Sequence, residues 1–271
     1  MNVGKSHLAK AVATEANCTF FSISSSDLIS RRHDYGKLVK TLFERARESP
    51  CGQAVIFIDQ IDLLSRKDED DDSVRGAKSQ FRIQMRGLVP KKEGSNVLVL
   101  GATNFPWDLE GAILSRFEKK VYIPLPDADA RTKMIQIHLG DTPNNLNNAD
   151  FKKLGQNTEG YSGSDIKVLV KDALLEPLSK CQQAKQFKMD GKFFFPCEKY
   201  PNCDYCPTEL LSVCDGCGAK QMQVCDVPRG KLKAPDVEMR DFEEVLKKRH
   251  PTVSEDELGG YEEWWTKKFW K

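Results

Sequence analysis

The stretch Ala54-Val55-Ile56-Phe57-Ile58-Asp59-Gln60-Ile61-Asp62 decides the fold of this 271-residue chain. Its run of apolar, mostly β-branched residues is typical of a strand that is buried on both faces of a parallel sheet. Asp59 then stands where the strand ends, a Walker B pattern in which the carboxylate can organise Mg²⁺ and its waters. The alternative interpretation is an ordinary core strand that ends in a turn acid.

Upstream of this strand, Gly4-Lys5-Ser6 precedes a helix-like segment over His7–Ala16. The tripeptide is the second half of the phosphate-binding loop GxxxxGK[ST], in which Lys5 reaches the β- and γ-phosphates and Ser6 holds Mg²⁺. The residues before Gly4 supply neither the first glycine of that loop nor a strand leading into it. Because such a cradle consists largely of backbone N–H groups, we expect weak nucleotide binding.

Two polar residues near the strand ends bear on hydrolysis. Gln60 follows Asp59 where a glutamate would polarise the attacking water. An amide cannot accept a proton at pH 7, so general-base help, worth about 10²–10⁴-fold, is expected to be lost. Asn104 follows the third predicted strand and could hydrogen-bond a γ-phosphate and the lytic water. The alternative for Asn104 is a turn asparagine at a strand end.

The first part of the chain alternates short apolar clusters with helical patterns, which predicts a parallel sheet with crossover helices. The clusters are Thr19–Ile23, Ala54–Ile58, Val97–Ala102 and Val121–Ile123. From Asp127 onward helical stripes replace the strand patterns. We therefore predict a large α/β domain over residues 1–126 and a small helical domain over residues 127–271.

The helix patterns of the second domain carry their own start and stop signals. Ser162 and Asp165 form a capping-box pattern at the start of the longest one, and Pro177 is predicted to limit its end. Two more helices are predicted over Asp241–Lys248 and Asp256–Trp270. The last of these is rich in tryptophan, which suits either a membrane interface or a helix that docks onto protein.

Six of the nine cysteines lie between Cys197 and Cys225. The surrounding segment, residues 187–227, is rich in Cys, Pro and Gly and has no helical period, so we predict a small β-type insert. Two pairs in it, Cys203-x-x-Cys206 and Cys214-x-x-Cys217, have the spacing of a Cys₄ zinc site, which predicts zinc as a ligand. The alternative is a set of unliganded cysteines in a divergent loop.

Composition excludes several classes of protein. The net charge is only +1 although charged residues make up 30% of the chain, so charge gives no reason to expect nucleic-acid binding. The apolar runs are too short to span a bilayer, and Met1–Ser6 lacks the apolar region of a signal peptide. We therefore expect a soluble intracellular protein without a transmembrane segment.

Longer stretches, taken with these motifs, resemble the AAA ATPases, and among them the vacuolar protein sorting-associated protein 4 family, which disassembles ESCRT-III filaments on endosomal membranes. The stretches are Leu8–Asn17, Ser24–Leu28, Gly101–Asn104, Tyr122–Asp127, Gly160–Ile166 and Pro251–Val253. The resemblance covers nearly the whole chain except about Cys197–Gln223. It implies a P-loop parallel sheet, a small helical domain, and hexameric rings of this or related subunits acting on ESCRT-III-type filament proteins.

The resemblance also implies ATP and Mg²⁺ as ligands and assigns roles to individual residues. Nucleotide contacts fall on Gly4, Lys5, Ser6, Gly163 and Ser164, Mg²⁺ contacts on Ser6 and Asp59, and catalytic roles on Asp59, Gln60, Asn104 and Arg116. The family places two arginine fingers before a Phe-Glu, and here Ser115 replaces the first while Arg116 keeps the second. A finger can be worth about 10³–10⁵ in rate. The alternative for Arg116 is a surface arginine in a helix-to-strand turn.

The substrate-gripping pore loop of the family corresponds to Ser30–Gly36, with Arg31, Arg32 and His33 as the candidate contacts. Arg32 stands where the family has a tryptophan, so the large flat apolar face that grips substrate is lost. The alternative is a solvated basic loop. The second pore loop is replaced by the acidic run Asp68–Asp72.

In the strand order of the family, 5-1-4-3-2, the strand that precedes the phosphate loop is the first and is central. The residues before Gly4 contain no such strand, so we expect a truncated amino terminus and a sheet split between the neighbours of that strand. The resemblance further implies that the last helix docks onto the large domain and that a cofactor protein binds the β insert. It implies a cytoplasmic protein, peripheral at the endosomal membrane.

Three functions are compatible with these patterns. The first is a remodelling ATPase subunit, here nucleotide-binding with impaired hydrolysis; the second is a non-catalytic or inhibitory ring partner; the third is a zinc-bearing interaction module with a vestigial AAA domain. Gln60, Ser115 and the lost tryptophan favour the second function over a fully active subunit. Retention of Lys5, Asp59, Asn104 and Arg116 argues against the third function.

Overall fold

The computed structural model describes residues 4–25, 35–64, 72–86, 96–197, 213 and 218–269. The chain divides into two compact units, one formed by Met1–Pro124 with Gly259–Lys271 and the other by Leu125–Leu258. Each unit has its own buried apolar core.

The first unit contains a parallel sheet, as the alternating pattern predicts. Its strands are β1 (Thr19–Ser24), β2 (Gln53–Asp59) and β3 (Asn96–Gly101), adjacent in that order. Its helices are α1 (Lys5–Glu15), α2 (Tyr35–Arg47), α3 (Asp72–Arg86) and the single turn α4 (Gly111–Leu114), with 3-10 turns at Ile61–Leu64 and Pro106–Asp108.

Strand β2 is buried on both faces, as its unbroken apolar run predicts. Ile56 and Ile58 pack into a cluster with Phe43 of α2 and Phe81 of α3, whose rings meet edge to face at 6.1 Å. Phe57, on the opposite face of the strand, packs against Ala9 of α1. Helices on both faces therefore hold this strand in the middle of the unit and leave its carboxyl end at the sheet edge.

The strand predicted at Val121–Ile123 does not form, and this prediction was wrong. Val121 is 76% exposed, and the ring of Tyr122 stacks on Trp265 with the centroids 5.8 Å apart. A strand needs a neighbour that accepts its ladder hydrogen bonds. Among the described residues, none of the three parallel strands pairs with this segment, so it forms no part of the sheet.

The second unit is mainly helical, as predicted. Its first helices are α5 (Ala128–Leu139), α6 (Asn148–Asn157) and α7 (Gly163–Gln183). The capping box predicted at the start of α7 is present: the Ser162 hydroxyl accepts from the Asp165 N–H, and the Asp165 carboxylate accepts from the Ser162 N–H. This exchange satisfies two of the backbone donors that a helix start leaves open.

Helix α7 continues through Pro177 to Gln183, so the predicted stop at Pro177 was wrong. A proline inside a helix removes one backbone hydrogen bond and crowds the preceding turn. Here Ala173, Pro177 and Cys181 lie four positions apart along one buried face. Burial of that face holds the helix together across the missing bond.

The Cys-rich segment contributes a small antiparallel sheet, which agrees with the predicted β-type insert. Its strands are β4 (Gln186–Asp190), β5 (Phe193–Pro196) and β6 (Ala219–Gln221), in the order β5-β4-β6. Phe187 of β4 is fully buried.

Two helices complete the chain. Helix α8 (Met239–Lys248) packs its Phe242 and Val245 into the core of the second unit. Helix α9 (Glu255–Phe269) belongs to the first unit from Gly259 onward. Among the residues that the structure describes, no helix is both long and apolar enough to cross a membrane.

Candidate functional site

The carboxyl edge of the parallel sheet brings together residues that are far apart in sequence. Ile58 of β2 is in register with Gly101 of β3, so Asp59 and the segment 102–104 leave the sheet side by side. The Ala102 carbonyl accepts a hydrogen bond from the Ile61 N–H at 3.0 Å, which ties the two strand ends together. Ligand sites of open α/β sheets lie at this edge.

Lys5 and Asn104 meet at this edge although 99 positions separate them. The Lys5 Nζ donates to the Asn104 Oδ1 at 2.5 Å. Burial lowers the pKa of Lys5, and the nearby carboxylates of Asp59 and Asp62 raise that pKa in part. A lysine ammonium, an amide and two carboxylates therefore form one polar cluster, which we call the Lys5 cluster.

Gly4 begins helix α1 in the left-handed conformation, with φ +89°. Among the residues that the structure describes, no atom lies within 4 Å of a Cβ added to Gly4. Glycine offers no side-chain cap to the first N–H groups of the helix. A helix start without a cap and with an adjacent lysine suits an anion such as phosphate.

The backbone turns sharply after Asp59. Gln60 adopts φ +54°, which is uncommon for a residue other than glycine, and its N–H donates to the Asp59 Oδ1 at 3.0 Å. The Gln60 side chain is exposed. Residues held in sparsely populated backbone conformations cluster at functional sites, because the surrounding structure must impose them.

Sequence reasoning missed two residues of the site. Asp62 is only 4% exposed, and its Oδ1 accepts from the Thr103 hydroxyl at 2.5 Å. The spacing of three residues between Asp59 and Asp62 could have indicated this position, because a single 3-10 turn, Ile61–Leu64, contains Asp62 and follows the end of β2. Tyr261 donates its hydroxyl to the Asn104 carbonyl at 2.5 Å across 157 positions, and no local pattern points to that contact.

Arg116 lies two residues after the end of α4 in the first unit. It is half-buried, and within the described residues its Nε is buried without a hydrogen-bond partner. Ser115 is exposed, and its hydroxyl donates to the Ala112 carbonyl at 3.2 Å.

Gly163 and Ser164 form the first turn of α7 in the second unit. The Ser164 hydroxyl lies 2.9 Å from the Ser162 hydroxyl. The Asp165 Oδ1 accepts from the Thr252 hydroxyl at 2.9 Å, which links this turn to the Pro251–Val253 stretch. The turn is therefore held within its own unit by a hydroxyl and carboxylate network.

Other predicted site residues lie outside the described residues. They are Arg31, Arg32 and His33 of the pore loop and Cys203, Cys206, Cys214 and Cys217 of the zinc pattern. Within the part of the chain that the structure describes, no three His, Cys, Asp or Glu side chains lie together as metal ligands. Zinc stays a prediction from the sequence.

The residues at the sheet edge fit a nucleotide with Mg²⁺. The uncapped helix start at Gly4 and the half-buried ammonium of Lys5 suit phosphate. The Asp59 carboxylate, and the Ser6 hydroxyl in the first turn of α1, are hard oxygen ligands of the kind Mg²⁺ prefers. Burial lowers the pKa of Lys5, and a bound phosphate would raise that pKa, as the carboxylates of Asp59 and Asp62 already do in part.

Three family profiles match the chain and define its class. The ATPase family associated with various cellular activities (AAA) matches residues 1–125, the AAA+ lid domain matches residues 148–190, and the Vps4 C terminal oligomerisation domain matches residues 215–269. The chain belongs to the AAA ATPase family and carries the Vps4-type oligomerisation domain.

Curated relatives agree with the profiles. Vacuolar protein sorting-associated protein 4B of Mus musculus is 49% identical over 259 residues, covering 94% of this chain and 57% of that protein. Vacuolar protein sorting-associated protein 4 of Dictyostelium discoideum is 46% identical over 269 residues, again covering 57% of the relative. The chain thus spans little more than half the length of these relatives.

Solved structures show the same fold. The crystal structure of the FIGL-1 AAA domain in complex with ADP matches with a TM-score of 0.71 at 30% identity, over 98% of this chain and 75% of that one. Another crystal structure of the FIGL-1 AAA domain matches with a TM-score of 0.74 at 28% identity, over 98% of this chain and 74% of that one.

Proposed function

We propose that this chain is a nucleotide-binding subunit of a Vps4-type AAA ring that binds ATP with Mg²⁺ and hydrolyses it slowly. The observation that carries the proposal is the meeting of Lys5 with Asn104, Asp59 and Asp62 at the carboxyl edge of the sheet. This cluster supports the proposal, because a cation, carboxylates and an amide are the groups that phosphate, Mg²⁺ and the terminal phosphate would need.

Each member of the cluster has a separate task in the proposal. Lys5 neutralises the β- and γ-phosphates, and Ser6 and Asp59 hold Mg²⁺ and its waters. Asn104 exchanges its present Lys5 contact for the γ-phosphate and the attacking water. Mg²⁺, when bound, neutralises negative charge that develops on the phosphate oxygens.

Slow hydrolysis follows from two substituted positions. The Gln60 amide can orient a water by hydrogen bonds but cannot accept its proton at pH 7. Ser115 replaces one of the two arginines that the family sets against the neighbouring subunit's nucleotide, so part of the charge stabilisation of the transition state is lost. Arg116 supplies the remaining finger in the proposal.

Assembly and location in the proposal rest on the relatives. The match to an oligomerisation domain over residues 215–269 supports self-association into rings. The names of the relatives point to vacuolar protein sorting. From the family resemblance we propose a cytoplasmic location at endosomal membranes and ESCRT-III-type filament proteins as clients. The small sheet β4–β6 is the proposed site for a cofactor protein.

A second role follows from Gln60 and Ser115. A subunit that binds ATP without hydrolysing it can enter a ring of active relatives and lower the ATP turnover of the whole ring. In that role the chain acts as an inhibitory partner, and the nucleotide site serves assembly instead of turnover.

A binding experiment tests the nucleotide site. A fluorescent ATP analogue is titrated with Mg²⁺ into the chain, into Lys5→Ala and into the control Lys10→Ala. Lys10 is an exposed lysine on the same helix. We expect Lys5→Ala to weaken binding at least about 10-fold, because a charge-assisted phosphate contact is lost. Equal affinity of the Lys5→Ala and Lys10→Ala chains would contradict the proposal.

A further inference from the structure

The C-terminal helix α9 reaches the polar edge of the sheet through one hydroxyl group. Tyr261 donates to the backbone carbonyl of Asn104 at 2.5 Å, while the side-chain amide of the same Asn104 accepts from Lys5. Asn104 is therefore held at two points, one on its main chain by α9 and one on its side chain by α1.

The residues around Asn104 are also anchored to α9. The Trp107 ring lies 5.0 Å from the Tyr261 ring, and the Phe105 ring meets Trp107 edge-on at 6.0 Å. On the other side, the Thr103 hydroxyl donates to Asp62 and accepts from the Phe105 N–H at 2.9 Å. The segment 103–107 is thus clamped between the acid turn after β2 and helix α9.

Helix α9 is intrinsically weak just before Tyr261. Gly259 and Gly260 lie inside the helix, and an added Cβ at either would meet no atom within 4 Å, so neither glycine is required by packing. Each glycine in a helix interior is destabilising relative to alanine. The order of this part of α9 therefore depends on contacts such as the one from Tyr261 to Asn104.

We propose that Tyr261 is a positioning residue that fixes the Asn104 amide for contact with the terminal phosphate of the bound nucleotide. The proposal deepens the proposed function and rests on it. Anchoring the carbonyl restricts the backbone rotation of Asn104, and with it the direction in which its side chain leaves the sheet edge. Because coupling between two sites is reciprocal, nucleotide at Asn104 also strengthens the Tyr261 contact and orders α9.

The test compares Tyr261→Phe, which keeps the ring and removes only the hydroxyl, with Tyr122→Phe as the control. Tyr122 also contacts α9, through its stack on Trp265. We expect Tyr261→Phe to weaken binding of the fluorescent ATP analogue about 3- to 10-fold, the scale of one lost hydrogen bond, and Tyr122→Phe to leave it unchanged.

A second background separates positioning from mere packing. In an Asn104→Ala chain the amide is absent, so adding Tyr261→Phe should change affinity less than about 2-fold if Tyr261 acts through that amide. The proposal would be overturned if Tyr261→Phe weakened affinity in the Asn104→Ala background as much as it does in the chain that keeps Asn104. That result would show that Tyr261 acts on the fold in general and not through the amide.

Hydrogen exchange without nucleotide keeps the two proposals distinguishable. The Phe105 and Asp108 N–H groups are both hydrogen-bonded inside the clamped segment and serve as reporters. Tyr261→Phe should speed their exchange about 10-fold and Tyr122→Phe should not. If the unmodified chain binds no nucleotide, the proposed function fails. The positioning role then fails too, even if Tyr261→Phe speeds hydrogen exchange at Phe105 and Asp108. If it binds but exchange is unchanged, only the Tyr261 proposal fails.

Discussion

At the scale of single residues, Gln60 stands directly after Asp59 and carries an amide that cannot accept a proton at pH 7. Its backbone adopts φ +54° directly after Asp59, and its N–H donates to the Asp59 carboxylate. An amide there keeps the polarity of a glutamate and loses its basicity. In the proposed function, this position therefore limits turnover without preventing nucleotide binding.

We expect Gln60→Glu to raise ATP turnover by about 10²-fold or more, because it restores a proton acceptor next to the attacking water. Steady-state phosphate release measures the effect. Gln53→Glu is the matched control, since it makes the same change at the other end of β2. Turnover by the unmodified chain as fast as that of Gln60→Glu would contradict slow hydrolysis.

The residues of the site differ in how far sequence could predict them. Lys5, Asp59 and Asn104 follow recognisable patterns of helix start or strand end, and a parallel sheet must bring strand ends to one edge. Tyr261 could not be found this way, because its contact spans 157 positions and involves a backbone carbonyl that any residue type would supply.

At the scale of elements, predictions of strands and helix ends held where the burial and pairing of the segment agreed with its local sequence pattern. The unbroken apolar run of β2 needs helices on both faces and has them. The short cluster Val121–Ile123 has strand composition but finds no ladder partner in the described sheet, and composition alone does not supply one. In α7, packing of the face that contains Pro177 overrode a local helix breaker.

A close helix contact in the second unit gives a test at this scale. A Cβ on Gly155 of α6 would lie 2.1 Å from the Thr132 Oγ1 and 2.6 Å from the Ala128 carbonyl of α5. Because the backbone of α5 cannot move aside freely, we expect Gly155→Ala to lower the free energy of unfolding by about 1–3 kcal/mol.

Gly76→Ala in α3 is the matched control, because a Cβ there would meet no atom within 4 Å. Removing a glycine from a helix interior should raise stability by about 0.5–1 kcal/mol. Urea unfolding followed by far-ultraviolet circular dichroism reports both units. If both substitutions changed the free energy of unfolding in the same direction, the expectation that the close α5–α6 contact excludes a side chain at Gly155 would be contradicted.

At the scale of the whole molecule, nucleotide and assembly are linked in the proposed function. The AAA region, the lid region and the oligomerisation region occupy successive parts of one chain. If ATP binds at the Lys5 cluster and Arg116 serves the neighbouring subunit's site, then ATP stabilises the assembled form by mass action. Slow hydrolysis should make that assembled form long-lived.

The most direct test of this account is the mass of the chain in solution with and without ATP and Mg²⁺, measured by light scattering after size separation. We predict that ATP converts the chain to a species several times its own mass, that the species persists while ATP is present, and that Lys5→Ala abolishes the conversion while Lys10→Ala does not. The same mass with and without ATP in the unmodified chain would contradict the claim that it is a nucleotide-binding ring subunit.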